Sequence, residues 1–311
     1  QTLYPVVNET NHVYALKVGC DATIQIETVK KVVHTVNFET TNASVECTQL
    51  MENEGVYTTY EGEIFTFTAE PETGYVLDTV VVNGEKLQAL YDSQESKCYY
   101  QTAASENLTI EVTAVEAAEH KIVFNYETDV VDTIKVWSQE GQQYTLEDGE
   151  VVVDGTESVW FDIEGDTGNI AKVICTDALG ETKTIYNTAY DGNVGYYLGC
   201  LTKDVQISIV SGETYFVNFP DVEEVKIVPV EGFGVLANEI YVPSGESLKF
   251  QVQVADGYML RSVRASGAKI TGNSKTGQYE LRRSSNKYLG LDVNIMLWEL
   301  PEEEKHKEYL F

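Results

Sequence analysis

Hydrophobic and polar residues alternate along most of this chain with a period of two. In one early segment Phe65 and Phe67 alternate with threonines, and glycine, asparagine and aspartate separate successive segments. Three later segments show the same alternation at apolar positions: Leu108, Ile110 and Val112; Val205, Ile207 and Ile209; Leu291, Val293 and Ile295. This pattern predicts β-strands, and no stretch of helical periodicity competes with it. The chain is therefore predicted to be an all-β, antiparallel protein.

A sequence frame returns at regular intervals along the chain. It starts at His34, His120 and Tyr215, and His306 begins a shortened fourth copy, so the intervals are 86, 95 and 91 residues. A period of about ninety residues exceeds that of a solenoid repeat and suits a string of small β-sandwich domains. We predict three sandwiches, called modules 1, 2 and 3, which form an elongated rod. Their predicted bounds are 34–115, 116–212 and 213–299, with 1–33 as the tail of a preceding module or linker strands and 300–311 as a linker or the start of a following module.

Charge is distributed unevenly among the three modules. The chain has a formal net charge of −29. Residues 34–115 carry 14 acids with 2 bases and residues 120–212 carry 16 acids with 5 bases, whereas residues 215–298 of module 3 carry nine of each. Nucleic acid and anionic membranes are poor partners for such an acidic chain. All four arginines of the chain lie in module 3: Arg261, Arg264, Arg282 and Arg283. They are either part of a solvated surface or a patch that engages acidic module 2 or an acidic ligand.

The cysteines leave two alternatives open. Cys175 and Cys200 follow on predicted strands of module 2, so a disulfide between them is plausible, and Cys47 and Cys98 could bridge within module 1 in the same way. Alternatively, all the cysteines are buried thiols that pack as small hydrophobic residues. No spacing resembles CxxC, and neither a zinc site nor any other metal or cofactor is predicted.

The sequence contains no catalytic motif of the common classes. It lacks GxSxG, HExxH, a P-loop and the dinucleotide-binding glycines. His34, His120 and His306 recur at equivalent module starts, which indicates a structural role, and no catalytic residue is assigned. We predict that the chain is not an enzyme.

The tryptophans are the best sequence candidates for a contact surface. Val159 and Phe161 take the inward phase of their strand, which places Trp160 on the polar face, and Trp137 is likewise out of phase with its apolar neighbours. A tryptophan that faces water needs a reason, such as a partner surface or a sugar ring on which to stack. Trp298 is also out of phase, and it either covers a module junction or contacts a partner. We predict partner binding through Trp137, Trp160 and the four arginines.

One stretch of module 1 resembles a known family. The run Tyr60–Gly84 contains Glu61-Gly62, Gly74-Tyr75 and Asn83-Gly84, and the module closes on the alternating segment Glu106–Val112. These residues resemble the immunoglobulin-like and internalin-type B-repeat modules of Gram-positive cell-surface proteins of gut bacteria. Module 3 matches in part, and module 2 lacks the Gly-Tyr and Asn-Gly pairs. The resemblance implies an extracellular stalk or adhesin, and some such proteins capture host immunoglobulin or matrix proteins.

These observations lead to three functional hypotheses. The first is a non-catalytic, adhesin-like binding region, excised from a secreted bacterial surface protein and monomeric, which recognises a host glycoprotein, immunoglobulin or glycan through modules 2 and 3. The divergence of these two modules favours it, because a spacer array should stay uniform. The second is a passive spacer or stalk. The third is an accessory region of a glycan-active enzyme, which would need a cleft with paired carboxylates.

Overall fold

The computed structural model describes residues 6–8, 11–13, 31–53, 56–93, 97–166, 169–190, 193–230, 234–255, 257–273, 277–287 and 289–299. Its regular elements are β-strands, and the described residues contain no α-helix. This confirms the prediction of an all-β protein. Of the predicted tail at 1–33, β1 (Val6–Asn8) and β2 (Asn11–Val13) form an antiparallel pair. The predicted linker at 300–311 lies outside the described residues.

Module 1 contains two sheets with a hydrophobic core between them. The sheet orders are β10-β11-β7-β4 and β5-β6-β3-β12-β8-β9. Phe65 and Phe67 point into the core, as their alternation with threonine predicts, and Ile110 and Val112 meet them from the other sheet. The strands are β3 (Val33–Thr41), β4 (Ala43–Glu46), β5 (Met51–Asn53), β6 (Val56–Tyr60), β7 (Ile64–Pro71), β8 (Tyr75–Val82), β9 (Glu85–Lys86), β10 (Leu90–Asp92), β11 (Lys97–Ala103) and β12 (Leu108–Glu116).

Module 2 has the same arrangement of two sheets. Their orders are β16-β13-β22-β18-β19 and β15-β14-β17-β21-β20-β25, and the last strand of the second sheet, β25 (Val235–Leu236), comes from the chain of module 3. The core contains Ile122, Phe161 and Ile207. The strands are β13 (Glu119–Asn125), β14 (Val131–Ser138), β15 (Gln143–Tyr144), β16 (Glu150–Asp154), β17 (Val159–Gly165), β18 (Ile170–Asp177), β19 (Thr182–Ile185), β20 (Asn187–Tyr190), β21 (Asn193–Gly199) and β22 (Val205–Ser211).

Module 3 contains two four-stranded sheets. Their orders are β26-β23-β31-β28 and β24-β27-β30-β29, and Leu248, Phe250 and Leu291 are fully buried between them. In every module the first strand pairs in parallel with the last, as β3 with β12, β13 with β22 and β23 with β31. The strands are β23 (Thr214–Asn218), β24 (Val225–Pro229), β25 (Val235–Leu236), β26 (Glu239–Pro243), β27 (Ser247–Val254), β28 (Tyr258–Ala265), β29 (Ala268–Asn273), β30 (Gln278–Arg283) and β31 (Gly290–Glu299).

The three modules contact one another directly. Asp78 of module 1 accepts hydrogen bonds from Lys203 and Thr202 of module 2, and Lys172 of module 2 forms an ion pair with Glu246 of module 3. Modules 2 and 3 also share a sheet through the pairing of β20 with β25.

Modules 1 and 3 are also joined by hydrogen bonds. The amide of Ser93 donates to the Gln253 side chain at 2.9 Å, and the Gln253 amide nitrogen donates to the carbonyl of Tyr91. An end-to-end rod would keep modules 1 and 3 apart, with module 2 between them. The predicted rod is therefore not confirmed, because each module contacts the other two.

Candidate binding surface

Trp160 is buried, so its predicted exposure is wrong. It lies on β17 directly opposite Trp137 of β14 and Tyr197 of β21, so the three rings share the outer face of that sheet. Its ring centroid lies 4.6 Å from that of Tyr197, and the residue is 0% exposed. Strand alternation correctly places Trp160 on the outer face of the sheet. It does not indicate that the neighbouring aromatic rings on this face shield Trp160 from water. Trp160 is therefore removed from the candidate surface.

Trp137 is half-buried at the side of the same cluster. The indole ring of Trp137 lies over Gly195, which has no side chain. A Cβ atom added to this glycine would be 3.6 Å from the far end of the ring. Tyr197, which is buried, donates a hydrogen bond from its hydroxyl to Ser158 at 2.9 Å. Trp137 therefore contributes to packing of the outer face, and at most one edge of it is available to a partner.

Trp298 is the tryptophan that faces solvent. It lies on β31, out of phase with Leu297 and Ile295, which pack against the module 3 core, and 56% of its surface is exposed. The guanidinium of Arg261 lies over the ring, 5.3 Å from its centroid, which is a cation–π distance. The alternation correctly indicates this outward direction.

A larger exposed surface surrounds Trp298. Met296, two residues earlier on β31, is 41% exposed, and Arg264 of the neighbouring edge strand β28 is exposed opposite Asn294. Because partner residues on paired strands share a face, Trp298, Met296 and Arg264 lie on one side of the sheet. We call Arg261, Arg264, Met296 and Trp298 the Trp298 surface. An aromatic ring, a thioether and two guanidinium groups are side chains that protein interfaces favour.

The other two arginines lie on the other sheet of module 3. Arg282 and Arg283 are on β30, whereas Arg261 and Arg264 are on β28, so the four do not form one patch on a single sheet. Arg283 lies 4.6 Å from the Tyr215 ring centroid and donates to Ser244 and Asn286. Arg282 is exposed and lines a cleft beside module 2.

The contact between modules 2 and 3 contains an ion pair that does not involve the arginines. In the ion pair across this junction, Lys172 of module 2 supplies the cation and Glu246 of module 3 supplies the carboxylate, at 2.8 Å. One of the alternatives for the arginines was a contact with acidic module 2, and this ion pair is not that contact. The arginines of β28 and β30 remain candidates for a ligand from outside the chain.

The four described cysteines are free thiols, so neither predicted disulfide forms. Cys175 is buried in the module 2 core on β18, whereas Cys200 is exposed after β21 in the other sheet, where its thiol donates to the carbonyl of Thr156. Cys47 donates to the carbonyl of Thr66. The alternative of buried thiols is correct for Cys175 and fails for exposed Cys200.

We expect Cys200 to be the most reactive of these thiols. Burial raises the pKa of Cys47 and Cys175, and it raises the pKa of Cys98 to about 12, which suppresses the nucleophilic thiolate. Alkylation of the folded protein with iodoacetamide, followed by peptide mapping, should therefore label Cys200 well before the other three. A Cys175–Cys200 linked peptide in a non-reducing digest would contradict the structure.

Two further kinds of feature concern the part of the chain that the structure describes: metal sites and membrane-spanning helices. It brings no three metal-ligating side chains together in a group that could hold an ion. None of its segments is a helix with the length and apolar character needed to cross a membrane. The chain matches no family model and no curated protein.

Proposed function

We propose that this chain is a non-catalytic binding region of a bacterial cell-surface protein and that it recognises a host extracellular macromolecule. Within this proposal, the three pairs of sheets are tandem immunoglobulin-like sandwich modules. The return of the sequence frame and the parallel pairing of first and last strands in all three support that assignment. The resemblance of Tyr60–Gly84 to surface-protein repeats supports the extracellular location.

One observation carries the binding proposal. Trp298 exposes more than half of its surface while Arg261 covers one part of the ring. Leaving a large aromatic side chain in water forgoes the free energy of burying it, and a partner can recover that free energy. Tryptophan and arginine are also the residue types that most often dominate binding energy at protein interfaces. The Trp298 surface therefore replaces the Trp137–Trp160 pair as the proposed contact.

The contacts among the modules weigh against a passive stalk. A stalk works through its length, and its modules are most useful end to end. Here the hydrogen bonds of Gln253 with Tyr91 and Ser93 hold module 3 beside module 1. The surfaces are also unequal, because module 3 carries all four arginines. Both features favour recognition of a partner over a passive stalk.

We expect Trp298→Ala to weaken capture of the partner. The immobilised chain would be exposed to human serum and mucosal secretions, and enriched proteins would be identified by mass spectrometry. Affinity for a protein enriched by the unmodified chain should fall by about tenfold or more, because a tryptophan hot spot is lost. Arg261→Ala should weaken the same interaction to a smaller extent.

Leu179→Ala is the matched control, since Leu179 is 74% exposed on a turn of module 2 and lies outside the Trp298 surface. It should leave the affinity unchanged. Equal capture by the Trp298→Ala variant would remove this surface from the proposal. No enrichment over an inert control would favour the spacer.

A further inference from the structure

A cleft lies between modules 2 and 3, on the side of module 3 opposite the Trp298 surface. Its volume is about 430 Å³, and its lining includes Thr184 and Tyr186 of module 2 and Glu246, Ser247, Lys249 and Arg282 of module 3. Small-molecule sites in proteins have volumes of about 300–1,000 Å³ and are common at domain interfaces. The cleft is thus large enough for a sugar unit or two and too small for a folded protein.

The floor of the cleft is the outer face of two paired strands. Ser247 of β27 lies directly opposite Arg282 of β30, and Lys249 lies opposite Glu280. Leu248 and Leu281, which alternate with these residues, are fully buried in the core. Strand alternation therefore directs the hydroxyl and both cations away from the core and into the cleft.

The two cations of the cleft, Lys249 and Arg282, lie close to two carboxylates. Glu246, which also lines the cleft, pairs with Lys172 at 2.8 Å. Glu280, which lies opposite Lys249, accepts a hydrogen bond from Ser247 at 2.5 Å and keeps its negative charge. Within the described residues, Lys249 and Arg282 make neither an ion pair nor a side-chain hydrogen bond. Because neither cation is bonded to a carboxylate, both can turn towards an anionic ligand, in a chain whose formal net charge is −29.

The module 2 wall supplies different chemistry. Thr184 has a hydroxyl that can donate or accept, and Tyr186 has an aromatic ring and a phenolic hydroxyl. Hydroxyl groups and an aromatic ring suit the polar edges and the apolar face of a sugar, whereas a simple ion needs neither. Guanidinium and ammonium groups select a carboxylate or sulfate on that sugar.

We propose that this cleft binds an anionic saccharide, whose carboxylate or sulfate group pairs with Arg282 and Lys249 while its ring lies against Tyr186. The site uses the β24-β27-β30-β29 sheet and is independent of the Trp298 surface on the other sheet. Because the walls come from two modules, the site exists only while modules 2 and 3 are joined. The ion pair of Lys172 with Glu246 and the pairing of β20 with β25 hold them together.

The test measures binding of four defined probes to the full chain by ligand-observed NMR and calorimetry. The anionic probes are 3′-sialyllactose and a uronate disaccharide, which carry carboxylates, and a sulfated disaccharide. Lactose is the neutral counterpart. We expect at least one anionic probe to bind and lactose to fail. We also expect added salt to weaken binding, because it screens the charges. The responsive probe distinguishes a carboxylate from a sulfate as the source of the anion.

The double variant Lys249→Gln with Arg282→Gln should weaken binding by about tenfold or more, because it removes both partners of the anion. Lys226→Gln is the matched control. Lys226 is exposed on β24 of the same sheet, opposite Gln253, and does not line the cleft. It should leave the affinity unchanged. Exposed charges on strands can be replaced without loss of fold, which melting temperatures would verify for each variant.

Three outcomes would overturn the assignment. The first is failure of all three anionic probes with the unmodified chain. The second is an equal loss of affinity in the Lys226→Gln control, which would indicate a diffuse electrostatic effect. The third is binding of a tetraglutamate peptide in place of the saccharides, which would assign the cleft to acidic peptides. Trp298→Ala should not change saccharide binding, so failure of the cleft proposal and failure of the protein-binding proposal can be told apart.

Discussion

Replacing Trp160 by alanine is expected to lower the free energy of unfolding of module 2 by about 3–5 kcal/mol, the range for truncation of a buried aromatic side chain. The residue is fully buried, and its ring packs at 4.6 Å from Tyr197. Truncation would leave a cavity between Trp137 and Tyr197 on the outer face of the sheet. Differential scanning calorimetry is the suitable measurement, because it does not depend on the fluorescence of the removed indole.

Trp298→Ala is the paired control for this experiment. It removes the same side chain from a position that is 56% exposed, so the change in stability should be within about 0.5 kcal/mol. The two variants should thus separate stability from binding, with Trp160 affecting the first and Trp298 the second. A Trp160→Ala protein that melts like the unmodified chain would contradict the burial of this residue.

Replacing Asp78 by alanine is expected to loosen the contact between modules 1 and 2. The Asp78 carboxylate accepts hydrogen bonds from Lys203 and Thr202, and the side chains of Asp78 and Lys203 are only 18% and 29% exposed. Loss of hydrogen bonds to a charged, partly buried group costs about 2 kcal/mol, which is a large part of the stability of a contact between domains. Small-angle scattering should show a larger radius of gyration, and the connection between β12 and β13 should become more sensitive to proteases.

Asp129→Ala is the matched control, since Asp129 is an exposed aspartate of module 2 away from this contact. It should leave the scattering profile and the protease sensitivity unchanged. If Asp78→Ala behaves in the same way, the contact between modules 1 and 2 is not held by this carboxylate.

The same contact should depend on pH. Burial alone would raise the pKa of Asp78, but the hydrogen bonds from Lys203 and Thr202 outweigh it and hold the pKa below its usual value. A lowered pKa in the docked state means that the stabilisation is complete above the undocked pKa of about 3.9 and disappears as the pH falls through the docked value. Scattering measured between pH 6 and pH 3 should show opening at the acid end of this range. Asp78→Asn should already be loosened at pH 6 and should lose this part of the transition.

The strands and their inward faces could be predicted from the sequence, because alternation with a period of two is a local property of the pleated chain. Phe65 and Phe67 in module 1 and Leu248 and Phe250 in module 3 are buried as their phase indicates. Turn dipeptides predict less reliably how successive strands are connected. Asn83-Gly84 joins β8 to β9 in a hairpin with positive φ at both residues (48° and 86°), as its dipeptide predicts.

In module 3, Ser266-Gly267 follows Gly257 at the same spacing as Asn83-Gly84 follows Gly74, but it has a different role. Ser266-Gly267 connects β28 to β29, which belong to different sheets and do not pair. In both turns the glycine has a positive φ. The length and conformation of a turn, however, do not specify which sheet the next strand joins. Packing of the whole module decides that.

The exposure of the tryptophans also depended on tertiary structure. Trp160 and Trp298 are both out of phase with their core neighbours, yet one is fully buried and the other is mostly exposed. Alternation identifies the face of a sheet on which a side chain lies, but the surroundings of that face come from other strands. Trp137 and Tyr197 flank Trp160, whereas Arg261 lies beside Trp298 and leaves it open.

The sequence by itself determined an all-β chain, the recurring frame and the inward phase of its strands, because each of these arises from residues close together along the chain. Only the tertiary structure decided that modules 1 and 3 touch through Gln253 and Ser93, and that Lys249 and Arg282 lie in a cleft opposite Tyr186. These contacts join residues from different modules, separated by 160 positions in the case of Ser93 and Gln253, so no local pattern encodes them. They form because complementary side chains meet once each module has folded.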